Sequence, residues 1–176
     1  GLKSGKWHVD IEVELEAVQT TPSIGTPSDS RGKKVIIKNS LIAPNGQIVG
    51  RSKGLKSSMT INNPLLWSCE QPNIYTVLTE VWQGGKLVDT YETPTGFRSF
   101  RFDPQTGFWL NGKNFKINGV CEHHDFGCLG SALNEDALHR KLSRLKAMGV
   151  NSIRSSHNPP APELLNMCDT MGLIVM

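Results

Sequence analysis

From Asn118 to Met176 the chain reads strand, helix, strand, helix, strand, and that order leaves few folds open. The first strand runs through Asn118-Gly-Val-Cys-Glu-His-His-Asp125. A helix follows with readable punctuation. Asn134 is a natural N-cap, Glu135 and Asp136 occupy the first turn where the helix dipole favours acids, and Gly149 follows the last turn. Leu138, Leu142, Leu145 and Met148 recur at helical spacing and predict its buried stripe. A short apolar strand spans Val150 to Ile153. A second helix begins near Pro162, suited to a first turn, and passes through Leu164, Leu165 and Cys168 to Gly172. The last five residues, Gly172-Leu-Ile-Val-Met176, have the composition of a buried strand. Strands joined through helices imply a parallel sheet with right-handed crossovers, as in doubly wound sheets and (β/α)8 barrels. The first β–α loop, His123-His-Asp-Phe-Gly-Cys-Leu-Gly130, lacks Gly-x-Gly-x-x-Gly, so the start of a barrel is favoured over a dinucleotide fold.

The residues before this region follow another period. In Trp7 to Ala17, Val9, Ile11, Val13, Leu15 and Ala17 alternate with Asp10, Glu12, Glu14 and Glu16, the pattern of a strand with one wet face. Residues 19–33 are rich in Thr, Ser, Pro and Gly and read as a loop. Val35–Ile42 and Gln47–Gly50 flank Asn45-Gly46, a tight-turn dipeptide whose residues tolerate positive φ. Leu55–Ile61 is a further strand, and Ile74–Trp82 and Lys86–Tyr91 form a hairpin across Gly84-Gly85. Strands at this spacing, with no helix among them, predict an antiparallel sandwich of immunoglobulin type, with Leu66-Trp67 plugging its core. No Cys–Trp–Cys spacing makes it antibody-like. Phe108–Ile117 is one more hairpin, around Asn111-Gly112.

Composition narrows the function classes. With 19 basic and 16 acidic residues and no long basic run, neither a nucleic-acid nor a membrane partner is indicated. No apolar stretch approaches the ~20 residues of a transmembrane helix, so a soluble protein is expected. Gly1–Trp7 does not read as a signal peptide, although one could have been removed or the segment cut from a longer chain. The four cysteines are too few and too dispersed for a disulfide scaffold, and the compartment stays open, a periplasmic or secreted parent protein being compatible.

Residues suited to chemistry gather after the first two parallel strands: His123, His124 and Asp125 after one, Arg154 and His157 after the other. In a barrel these strand ends line one rim, where a fixed donor fork and neutral imidazoles suit an anion or a polyol. Cys121, His123, His124, Asp125 and Cys128 are metal-ligand types without metal-ligand spacing, so neither a metal site nor any cofactor is expected in this chain. Ser155 and Ser156 lie in no Gly-x-Ser-x-Gly elbow. Sugar hydrolysis would need two carboxylates, about 5 Å apart in a retaining enzyme. Glu135, Asp136 and Glu163 belong to helix starts, and Glu122 and Asp125 are rim residues that nothing pairs, so no catalytic pair is visible.

The segment Asn151-Ser-Ile-Arg-Ser-Ser-His-Asn-Pro-Pro-Ala-Pro-Glu-Leu-Leu-Asn-Met-Cys-Asp-Thr-Met-Gly-Leu-Ile-Val-Met176 resembles the signature of glycoside hydrolase family 2, the β-galactosidase, β-glucuronidase and β-mannosidase group. Asn111-Gly-Lys and Asn118-Gly-Val-Cys-Glu-His-His-Asp resemble that family's approach to its catalytic barrel. Thr95-Gly-Phe-Arg98 resembles the end of its sandwich domain, and Leu66-Trp-Ser with Pro72-Asn-Ile-Tyr75 that domain's later strands. Asn158 stands where the family usually has Tyr, and Cys121 where it usually has Asn, which leaves the bound sugar open.

The resemblance implies an immunoglobulin-like β-sandwich over residues 1–98 and the first β-α-β-α-β units of a (β/α)8 barrel over residues 99–176. It implies a retaining β-glycosidase, galactosidase-like, with His123, Arg154, His157 and Asn158 on the substrate side. It places the acid/base and nucleophile glutamates on later barrel strands, past Met176, so that this chain alone would be inactive. The expected partner is a carbohydrate, a β-glycoside; whether the parent binds a divalent cation is open. Three barrel strands cannot close, so self-association through the truncated edge is also expected. The rival reading is a non-catalytic sandwich module for carbohydrate binding or adhesion.

Overall fold

A computed structural model of the protein describes residues 5–16 and 35–176. The loop expected over 19–33 lies outside the described residues. The chain divides into two compact units. One holds the described residues up to Pro64 together with Tyr75–Thr95, and the other holds Leu65–Ile74 and Gly96–Met176.

The first unit is all β. Strand β1, Lys6–Glu12, pairs antiparallel with β4, Lys56–Asn62. The second sheet has the order β3-β2-β5-β6, from β2 (Val35–Ile42), β3 (Ile48–Lys53), β5 (Tyr75–Gln83) and β6 (Lys86–Thr95), all neighbours antiparallel. The first strand is shorter than its alternation predicts. It ends at Glu12 because its partner begins at Lys56, opposite Glu12; one bond, Val13 N–H to the Leu55 carbonyl, continues the ladder. At the β2–β3 turn only Gly46 takes positive φ, and Asn45 instead accepts the Gln47 N–H on its side-chain oxygen. Ile37, Leu41, Met59, Ile61, Tyr75 and Val77 are buried in this unit.

A polar pin sits among them. Asn39, 1% exposed, lies in register between Ser52 of β3 and Thr79 of β5. It accepts from Thr79 Oγ1 at 2.9 Å and donates to Ser57 Oγ of β4 at 3.1 Å, so it bonds a neighbouring strand and the other sheet at once. A buried amide is tolerated when its hydrogen bonds are made, and a one-residue slip would unmake these.

Past Gly96 the second unit holds a three-stranded meander, β7 (Phe100–Asp103), β8 (Gly107–Leu110) and β9 (Lys113–Asn114), in which β8–β9 is the expected hairpin and β7 is not evident from patterning. The β8–β9 turn is the expected one, with Asn111 at φ 51° and Gly112 at φ 78°. The parallel sheet follows, in the order β10 (Gly119–Glu122), β11 (Ser152–Ser155), β12 (Ile174–Val175). Helix α1, Glu135–Ala147, joins the first two, and α2, Pro162–Met171, the last two. Asn134 caps α1 by accepting the Ala137 N–H at 2.8 Å, a contact typically worth about 1 kcal/mol. Gly172 closes α2 in the left-handed region. A Cβ at that position would also fall 2.4 Å from the Cys69 carbonyl oxygen, so only glycine fits.

Leu138 and Leu142 of α1 are buried with Ile153, Leu164, Cys168 and Leu173. Met148, the expected end of the helix stripe, is instead 77% exposed, because it occupies the C-cap where the chain turns towards β11. Trp67 does not plug the sandwich. It is buried in the second unit with Cys69, Leu110 and Ile174, and its indole N–H donates to the Asp169 carbonyl at 2.8 Å. Among the described residues no helix is long and apolar enough to cross a membrane.

Candidate functional site

Strand β11 begins and ends two residues later than its apolar run predicts, so Arg154 lies within the strand rather than past its end. In a strand, alternate side chains share a face. Ser152, Arg154 and Ser156 therefore project together, with Ile153 on the opposite side, in the helix-packed core. In the parallel register Gly119 lies beside Ser152 and Cys121 beside Arg154, which brings Cys121, and His123 two residues on, to the Arg154 side.

Glu122 goes the other way. It is buried, paired with Lys141 of α1, and Lys141 also donates to the Asp125 carbonyl at 2.9 Å and lies over the Phe126 ring. The carboxylate read from sequence as a rim residue is thus consumed beneath the helix. The reason is local: one residue along a strand reverses the side.

On the open face the groups converge. Arg154 Nη1 donates to Ser156 Oγ at 3.1 Å and lies 3.8 Å from Cys121 Sγ; Nη2 lies 3.2 Å from His157 Nδ1. The rings of His123 and His157 stand edge to face with centroids 6.3 Å apart. Asn158 is on the same loop, and its carbonyl accepts from Ser155 Oγ at 2.7 Å. Among the described residues Arg154 has no carboxylate partner, so its charge is met by neutral groups only. Hydrogen bonding to Ser156 first, and then to Arg154, holds the Cys121 thiol below the usual range for cysteine. By contrast burial pushes the Cys168 thiol up to about 12, and it packs as an inert apolar group.

His123, Arg154 and His157 therefore come together, with Asn158 adjacent in the chain. Cys121 and Ser156 complete the cluster. The sequence presents Cys121 as a metal-ligand type and as a departure from the family's usual Asn, and Ser156 as a nucleophile type; period-two spacing, Cys121 to His123 and Arg154 to Ser156, is the signal that joins them to the cluster. No group of three or more His, Cys, Asp or Glu side chains among the described residues is arranged to hold a metal ion. An unneutralised guanidinium flanked by imidazoles and hydroxyls, at the C-terminal ends of parallel strands, suits a polyhydroxylated ligand or a carboxylate brought to it.

Comparison with known proteins gives the family. Residues 2–98 match the model of glycosyl hydrolases family 2, and residues 104–176 match the TIM barrel domain of the same family. The chain belongs to glycosyl hydrolases family 2. Its fold is thus an immunoglobulin-like sandwich followed by the first units of a (β/α)8 barrel. A β-galactosidase of Bacteroides ovatus is 51% identical over 127 residues, 72% of this chain and 15% of that protein. A β-glucuronidase of Bacteroides fragilis is 36% identical over 117 residues, 66% of this chain and 17% of that protein. The crystal structure of a β-glycosidase from Bacteroides vulgatus superposes with a TM-score of 0.77 at 44% identity, covering 84% of this chain and 20% of that one. The chain therefore spans a fifth or less of the length of these family 2 relatives.

Proposed function

We propose that this chain is the middle segment of a retaining β-glycosidase, galactosidase-like, and that it supplies one wall of the sugar pocket. The observation that carries the reading is Arg154: a fixed cation with no carboxylate partner among the described residues, held against His157, whose ring meets that of His123. A glycosidase of this class works with two carboxylates. In this reading both come from later barrel strands, and Arg154 faces the nucleophile, holding it ionised. His123 and His157 hydrogen-bond sugar hydroxyls, and Asn158 borders them. The 51% identity to a β-galactosidase supports galactosides over glucuronides.

The test is an assay with nitrophenyl β-galactoside, β-glucuronide and β-mannoside, run on the full-length protein and on the 176-residue chain. Turnover of the galactoside by the full-length protein alone is the expected result. Turnover by the short chain would refute the placement of the carboxylates elsewhere. Sugar binding without turnover by the full-length protein would favour a carbohydrate-binding module. The same proposal includes self-association of the isolated chain along β12, whose outer side pairs with no described strand; sedimentation as a clean monomer would remove it.

A further inference from the structure

Of the contacts that hold Arg154, two come from its own stretch of chain: Ser156 two residues on and His157 three residues on. Cys121 is the one described contact from the neighbouring strand. It lies directly beside Arg154 in the parallel register, and it is exposed on the same face as the two histidines. The guanidinium is a planar fork, so contacts on both terminal nitrogens fix its plane as well as its position. A tether from β10 ties that plane to the strand that carries His123. The charged and titratable groups on the face of the thiol are Arg154 and His157 from β11 and its loop, and His123 just past the end of β10; Glu122 is turned away to Lys141.

We propose that Cys121 is a positioning residue of the site, anchoring the Arg154 guanidinium from β10, and that alkylation of its sulfur releases that guanidinium and obstructs the sugar wall. The proposal rests on the glycosidase reading above for its effect on turnover, but not for the coupling between the two side chains. The modification is an ordinary displacement. The thiolate, its proton already lost to solvent, attacks the methylene of a haloacetamide; the S–C bond forms, the C–I bond breaks, and iodide leaves with the bonding pair. A cysteine whose hydrogen bonds stabilise the thiolate reacts at a lower pH than a free one.

The experiment uses the full-length protein, iodoacetamide and peptide mass spectrometry across pH. The midpoint for Cys121 labelling is expected below the ~8.5 of a free cysteine peptide and to rise in both Arg154→Gln and Ser156→Ala. Labelling is expected to remove activity in step with Cys121 occupancy. Cys121→Ala is expected to lower kcat/KM by about tenfold or more and to abolish the sensitivity, whereas Cys121→Ser keeps more activity than Cys121→Ala. Cys128→Ala, at an exposed cysteine outside the cluster, should keep both activity and sensitivity. An unshifted midpoint that ignores both substitutions would overturn the proposal, as would a Cys121→Ala enzyme with kcat/KM within about twofold of the parent. If the full-length protein cleaves no β-glycoside, the glycosidase reading fails, and the labelling midpoints still decide whether Cys121 and Arg154 are coupled.

Discussion

The indole N–H of Trp67 donates to the main-chain carbonyl of Asp169, 102 residues away, at 2.8 Å. That carbonyl lies in the last turn of α2, where the helix leaves its C=O groups without partners of its own. One side chain from an extended segment therefore both fills the core beside Leu110 and Ile174 and completes a helix end. Trp67→Phe keeps most of the apolar volume and removes the donor. It should destabilise the protein by about 1–3 kcal/mol in urea denaturation, the cost of a buried carbonyl left unpaired. Trp67→Ala should cost about 3–5 kcal/mol, the larger loss of packing. A Trp67→Phe variant as stable as the parent would mean that the hydrogen bond contributes nothing.

The pin at Asn39 makes a different kind of prediction, because its two shortest hydrogen bonds go to side chains that can be removed with it. Asn39→Leu strands Thr79 Oγ1, leaves Ser57 Oγ with Ser52 Oγ as its remaining partner, and should cost about 2–3 kcal/mol. Adding Thr79→Val and Ser57→Ala removes both hydroxyls that had bonded Asn39, of which Thr79 Oγ1 is the stranded one, and should recover more than half of that loss. A triple variant that loses stability additively would show the three residues to be independent. Denaturation of the single and triple variants decides between them.

What could be read from sequence followed how local each cause is. The Asn134 cap, the Asn111-Gly112 turn and the Pro162-to-Gly172 limits of α2 depend on a few neighbouring residues, and all three hold. Trp67 was placed in the wrong unit, because its burial depends on α2 and β12, more than a hundred residues further on. Strand β7, four residues with both phenylalanines exposed, has too short a pattern to register. At the site, residue types alone singled out Arg154 and His157. The role of Cys121 needed the register between β10 and β11, and the loss of Glu122 to Lys141 needed the helix packed behind them.

Asp103 offers a pH measurement with a definite sign. Hydrogen bonding to Thr106, from its side chain first and its main-chain N–H at 2.8 Å next, holds this carboxyl down at about 2, with Gln105 N–H and Arg101 assisting. A folded-state value below the unfolded ~3.9 means that the ionised form favours the folded turn. The contribution is fully present above about pH 4 and is lost as pH falls towards 2. NMR titration of the Asp103 carboxyl carbon should give a midpoint near 2, and Asp103→Asn should remove that acid step from the stability profile. A midpoint near 4 would show that the turn does not hold the carboxylate.

Arg154 is the position where charge and geometry can be separated. Arg154→Lys preserves the cation but replaces a planar fork by a single ammonium, which cannot meet Ser156 and His157 at the spacing of Nη1 and Nη2. On the proposed reading the full-length protein should lose about a hundredfold in kcat/KM, because a misplaced cation no longer aligns the carboxylate opposite it. Stability should change little, within about 0.5 kcal/mol, since Arg154 is exposed and packs no core. The two readouts together matter. A large loss of stability would recast Arg154 as a structural residue, and activity within about threefold of the parent would remove it from the site.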